Sequence, residues 1–156
     1  MNRLIKGALA GLAATAPMTL AMTVMHARLP RPEQYALPPR LITEKVVEKA
    51  GGEEQLDERE RRRLTLVGHF SYGLMAGACY PLLADGMKLP PVASGALYGL
   101  AVWAGSYLGW LPAVEILRPA TEHPPRRTAL MIAAHLIWGV TTGKLVGKVA
   151  EERRIA

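Results

Sequence analysis

The stretch His69-Phe-Ser-Tyr72-Gly73-Leu-Met-Ala-Gly77 has a counterpart in His135-Leu-Ile-Trp138-Gly139-Val-Thr-Thr-Gly143. Both read His-x-x-aromatic-Gly-x-x-x-Gly, and both sit inside an apolar run long enough to cross a lipid bilayer. At 3.6 residues per turn the histidine, the aromatic three residues on and the two glycines share one helix face. An ionisable ring thus recurs on a face smoothed by glycine, in segments that otherwise avoid charge.

Outward from these words, four apolar runs emerge: Gly7 to Met25, Leu64 to Ala84, Val92 to Val114 and Thr128 to Gly147. Each approaches the roughly 20 residues that span a bilayer core. Lys144 is the charged residue inside them, near enough to a run's end to snorkel. None shows the polar face of an ordinary soluble helix. Mean hydropathy is only +0.12, because the charges gather between the runs. The pattern predicts an all-α, polytopic membrane protein, a four-transmembrane-helix bundle forming a single membrane domain over residues 1–156. Its connection at 26–63 is extramembrane. Arg3 and Lys6 precede the first run as in a signal peptide, but the run is longer than a typical h-region and three more follow, so it reads as a retained helix.

The chain also reads as two duplicated helical hairpins. Gly7-Ala-Leu-Ala-Gly11-Leu-Ala13 matches Gly95-Ala-Leu-Tyr-Gly99-Leu-Ala101 at six of seven positions, and the histidine words follow in the same order. Such a duplication relates the halves by a pseudo-two-fold along the membrane normal; the alternative is a chance likeness between helices rich in Gly, Ala and Leu. Every run carries a GxxxG pair: Gly7/Gly11, Gly73/Gly77, Gly95/Gly99, Gly105/Gly109 and Gly139/Gly143/Gly147. These let helix backbones approach closely, within one bundle or against a second copy. Thr15, Thr19 and Thr23 form a stripe leading to His26, and Pro17 among them should bend the helix.

The connection is a different material. Prolines from Leu29 to Pro39 favour an extended polyproline piece along the surface. Arg40 to Ala50 then makes a short amphipathic helix through Leu41, Ile42 and Val46, ended by Gly51-Gly52 and suited to the headgroup plane. Leu56 to Arg63 leads into the second run as its first helical turns. The net charge of +6 and pI near 9.8 reflect basic residues at membrane edges without interleaved aromatics, which points to lipid headgroups rather than nucleic acid. Lys and Arg lie more on the side of the two large loops, so the positive-inside rule leans toward cytoplasmic loops and outward termini, with Arg3 and Lys6 opposing it. The single Cys79 excludes an internal disulfide and a Cys-rich metal site, and reads as a buried small residue.

The layout His69-Phe-x-Tyr, Gly95-Ala-Leu-Tyr-Gly-Leu-Ala-Val-Trp103, Leu111-Pro, Glu122 and Ala134-His135-Leu-Ile-Trp138-Gly139 resembles the YagU-like family of small bacterial inner-membrane proteins of unknown function. The resemblance covers roughly the second half of the chain. It implies a multi-pass protein of the bacterial cytoplasmic membrane and brings no catalytic residue with it.

His69 and His135, with Tyr72 and Trp138, form the candidate ligand site. Two imidazoles projecting into a space opened by glycines could ligate b-type haem through both axial positions; alternatively each ring hydrogen-bonds locally and serves packing. No metal ion is expected, since zinc would need a Cys or carboxylate at that depth. Glu115 is a candidate intramembrane acid, or an interfacial partner of Arg118. His26 and His123 fall at membrane edges. There is no GxSxG, P-loop or HExxH, so the sequence leans away from an enzyme. The expected role is a structural or interaction subunit, without cofactor, that self-associates as a homo-oligomer or docks to a larger membrane complex. The alternatives are a small haem-binding electron-transfer protein and a small membrane transporter.

Overall fold

The computed structural model describes residues 2–52 and 56–155, the side chains of residues 85 and 149–155 excepted. Helix α1, Arg3–His26, begins where the Asn2 side chain accepts the Leu4 N–H. It runs through Pro17, which leaves the Ala13 carbonyl without its usual donor. The threonine stripe bonds backward within its own helix: Thr15 donates to the Gly11 carbonyl at 2.8 Å, Thr19 to Thr15 at 2.7 Å and Thr23 to Thr19 at 2.9 Å. The hydroxyls are thereby satisfied without a neighbouring helix.

Helix α2, Pro38–Lys49, starts two residues before the predicted Arg40. Pro38 and Pro39 suit a first turn, where no backbone N–H is needed. Helix α3, Glu58–Met87, opens on a reciprocal cap: Asp57 accepts the Glu60 N–H and Glu60 accepts the Asp57 N–H, each at 2.8 Å. This exchange fixes the start of α3. Helix α4, Pro91–Ala104, follows.

The third apolar run does not continue as one helix to Val114. It widens into a π-helical segment at Gly105–Trp110, where Gly109 leaves helical geometry (φ −110°, ψ −108°), and ends in the single turn α5, Leu111–Ala113. Pro112 cannot donate to the Leu108 carbonyl and its ring crowds that turn, while Gly105 and Gly109 tolerate the distortion. Helix α6, Pro125–Ile155, completes the chain. Two helical segments, Arg3–His26 and Pro125–Lys148, are long and apolar enough to cross a membrane. Among the described residues there is no strand.

Helix α1 packs on both α3 and α6, α6 packs along α4, and α2 lies on α3. The α1–α3 and α4–α6 crossings are made by glycine. A Cβ at Gly11 would strike the Gly73 carbonyl and lie 2.6 Å from the Gly77 Cα; one at Gly99 would strike the His135 carbonyl and lie 3.2 Å from the Gly139 Cα. Gly7 likewise faces the Gly77 carbonyl, and Gly95 that of Gly139. The two crossings therefore run one helical turn out of step with the sequence words. Gly73 aligns with Gly139 in sequence, yet its place against the partner helix is taken by His135 in the second pair.

Helix α3 meets α4 differently, through side chains. The Tyr80 hydroxyl shares a hydrogen bond with Ser94 at 2.7 Å, Tyr98 donates to the Ala76 carbonyl at 2.6 Å, and Tyr72 pairs with Ser106 at 2.8 Å. The Tyr80 and Tyr98 rings lie 5.3 Å apart, and Tyr98 lies 5.9 Å from Trp138. These rings join Met18, Met22, Leu130 and Ala134 in the core.

Two expectations for the chain are corrected. Cys79 is exposed rather than buried, because it falls on the face of α3 turned away from the glycine crossing. The piece from Leu29 to Pro39 is not a free extended strap: it contains a 3-10 turn at Arg31–Glu33 and is pinned by Arg127. That guanidinium, with the residue only 4% exposed, donates to the carbonyls of Glu33, Tyr35 and Ala36 at 2.7–2.8 Å and lies 3.6 Å over the Tyr35 ring. His26 and His123 converge on the same residue, the first on the Tyr35 carbonyl at 3.0 Å and the second on its hydroxyl at 2.9 Å.

Candidate functional site

Where the widened turn draws the chain after α4 aside, α1, α3, α6 and the segment from Val102 to Leu111 enclose a cavity of about 350 Å³. Helix α2 covers it with Ile42, Val46 and Val47. The expected headgroup-plane helix thus turns its apolar face onto α3 and the cavity. It is tied down by Arg40, which forks onto Glu58 at the start of α3 with bonds of 2.9 and 2.7 Å and also bonds Glu44. The same guanidinium holds the Glu58 carboxyl below its ordinary pKa.

The structure brings His69, Tyr72, His135 and Trp138 together around this cavity. His135, 5% exposed, has its Nδ1 2.8 Å from the Met131 carbonyl. A carbonyl can only accept, so Nδ1 carries the proton and Nε2 keeps its lone pair. The Tyr107 ring meets the imidazole edge-on at 5.6 Å. His69 presents a buried Nε2 with no hydrogen-bond partner. Trp138 donates its indole N–H to the Gly11 carbonyl at 3.0 Å, the same oxygen that accepts from Thr15. Gly73, having no side chain, leaves room for that threonine hydroxyl at the cavity floor.

Glu115 is not part of the site. It is exposed, in a left-handed conformation (φ 56°) just after α5. It is therefore not drawn into the bundle. His26 and His123 belong to the Arg127 cluster instead. Among the described residues no three His, Cys, Asp or Glu side chains gather to hold a metal ion.

Sequence reasoning missed Thr15, Ser106, Tyr107 and Trp110 as lining residues, and missed α2 as the cover. Thr15 carried a signal as the stripe threonine one turn beyond the Gly7/Gly11 pair. Ser106 and Tyr107 carried one in the Gly105/Gly109/Pro112 spacing, which marks a break in the helix.

The fold and site define a class: an all-helical protein with two segments fit to cross a membrane, built around a cavity whose lining, among the described residues, includes no Lys, Arg, Asp or Glu. The chain belongs to the DUF1440 family, described as a protein of unknown function, whose match runs over residues 23–143 and so includes both histidine words. No curated protein and no solved structure matches it.

Proposed function

We propose that this chain is a four-span protein of a bacterial inner membrane that binds a lipid-soluble molecule in the cavity between His69 and His135. One observation carries the reading: a cavity of about 350 Å³, covered by α2 and lined by apolar and uncharged polar groups. That volume falls at the lower end of small-molecule sites, which are mostly apolar with a few placed polar groups. Membrane placement is supported by the outward apolar side chains, among them Leu9 and Leu20 on α1 and Val67, Met75 and Leu82 on α3. The likeness to YagU-type proteins supports the same compartment. Self-association through glycine faces has less to rest on, because Gly7, Gly11, Gly73, Gly77, Gly95, Gly99, Gly139 and Gly143 all face helices of the same chain.

Native mass spectrometry of the detergent-purified protein tests the reading. Wild type should retain a bound lipid-soluble molecule. Gly68→Phe should lose it while keeping its thermal stability, since Gly68 lines the cavity and a Cβ there meets nothing within 4 Å. A wild-type protein that is ligand-free, and whose melting no lipid extract shifts, overturns the proposal.

Haem b is the second reading, favoured by the two imidazoles on one cavity. Against it, the lining among the described residues has no Lys or Arg to meet two propionates. An absorption spectrum decides. A Soret band lost in both His69→Ala and His135→Ala would establish haem in place of the lipid-soluble molecule.

A further inference from the structure

The charge and shape of the cavity narrow the ligand, on the reading that this cavity is a binding site. Among the described residues no Lys, Arg, Asp or Glu lines it. A phosphate or carboxylate headgroup drawn inside would lose its hydration with no counter-charge to replace it. The ligand's buried part is therefore uncharged.

It must also satisfy polar groups that the protein leaves open. His69 Nε2 is buried without a partner. His135 Nδ1–H is committed to the Met131 carbonyl, so its Nε2 can only accept. Tyr72 and Ser106 together hold two hydroxyl protons, and their mutual bond at 2.8 Å uses one of them. The other remains to be donated. The site thus offers a hydroxyl proton from the Tyr72/Ser106 pair, an acceptor on α6, and on α3 the His69 Nε2, which donates in its Nε2–H tautomer and accepts in the other. The aromatic side chains of Tyr72, Tyr107, Trp110 and Trp138 line the same cavity. Aromatic walls favour a planar ring, which stacks or packs edge-on against them.

We propose that the cavity binds the ring of a lipid quinone. Its ring oxygens accept from His69 and from the Tyr72/Ser106 pair in the oxidised form, and in the reduced form a ring hydroxyl also donates to His135. The prenyl tail leaves past Leu64 and Met75, which line the cavity and are exposed on the outer face of α3. The proposal concerns binding alone and assigns no electron transfer.

The full chain in phosphatidylcholine nanodiscs, titrated with ubiquinone bearing a decyl tail, tests it. Quinones quench indole fluorescence on contact, and Trp110 and Trp138 line the cavity while Trp103 does not. Quenching should saturate, and Trp103→Phe should leave the saturable part unchanged. His69→Phe should raise Kd tenfold or more and Ser106→Ala severalfold, with thermal unfolding confirming that both variants fold. Palmitate should not compete. Quenching that is linear and identical in wild type, His69→Phe and Gly68→Phe reflects partition into the bilayer and overturns the quinone assignment. If dioleoylglycerol then still shifts the melting of wild type but not of Gly68→Phe, the lipid-binding reading stands without quinone. If neither molecule has an effect specific to wild type, both readings fall.

Discussion

The Tyr72 hydroxyl on α3 and the Ser106 hydroxyl in the widened turn beyond α4 lie 2.8 Å apart, at the point where the seam between the two helices becomes the wall of the cavity. Thirty-four positions separate them in sequence. Nothing in either helix's own periodicity announces the pair.

Tyr98→Phe should loosen this seam by removing the side-chain hydroxyl that donates to the Ala76 carbonyl. The expected loss is about 0.6 kcal/mol, rising toward roughly 1.7 if no lipid or water takes over the acceptor. Thermal unfolding in detergent measures it. A variant as stable as wild type would mean that ring packing against Tyr80 and Trp138, not the hydrogen bond, holds the helices together.

The glycines divide into two sets with opposite expected signs. Gly11→Ala and Gly139→Ala place a methyl onto a facing backbone and should each destabilise by about 1–3 kcal/mol. Gly68→Ala meets nothing and should stabilise α3 by up to about 1 kcal/mol, the helix-propensity difference. Melting temperatures moving in the same direction for all three would contradict the crossing geometry.

Arg127 is a fork, and Lys is not. Arg127→Lys cannot reach the carbonyls of Glu33, Tyr35 and Ala36 together, so the strap should detach at a cost of about 1.5–3 kcal/mol. Limited proteolysis reads this locally: cleavage between Ala27 and Leu37 should accelerate in the variant while α6 stays intact. Unchanged cleavage would show that the prolines alone keep the strap in place.

His123 gives the strap a pH dependence. Burial is the main force pushing its imidazole below the ordinary value. The unfolded chain, with a pKa near about 6.5, then binds the proton more readily than the folded one. Stability from this group is complete above that value and declines as pH falls through it toward the depressed folded pKa. Melting at pH 5.5 should lie below that at pH 7.5, and His123→Gln should shrink the difference. A larger difference in the variant would reverse the sign assigned to the group.

The proposed four crossings would place both tails in one compartment. Single cysteines at Asn2 and at Lys148, in a Cys79→Ser background, should react alike with an impermeant maleimide in intact cells. Unequal labelling would leave an odd number of crossings and rule out the four-span reading.

Most helix positions were legible because hydropathy and caps are local. The first, second and fourth runs fall within α1, α3 and α6, and Asp57 with Glu60 marks where α3 begins. The third run was misread because Gly105, Gly109 and Pro112 are permissive rather than directive. They allow a break, and the edge-on contact of Tyr107 with His135, which forms there, is a tertiary one. His69 and His135 share a face pattern that sequence displays, so their presence in one cavity could be anticipated. The role of α2 as cover could not, since an apolar face at Ile42, Val46 and Val47 suits a membrane surface as well as a protein one. Arg127 was hidden for a related reason: its partners are backbone carbonyls, which leave no trace in residue identity.

The walls of the cavity are unequal. Where α1 meets α3 and α4 meets α6, backbones touch and any separation forfeits an entire glycine interface, whereas α3 and α4 are bridged by hydroxyls that can exchange partners one at a time. The cavity can therefore change width on its α3–α4 side without disturbing either glycine crossing, so guests of slightly different girth would be met by hydroxyls exchanging partners rather than by helices separating.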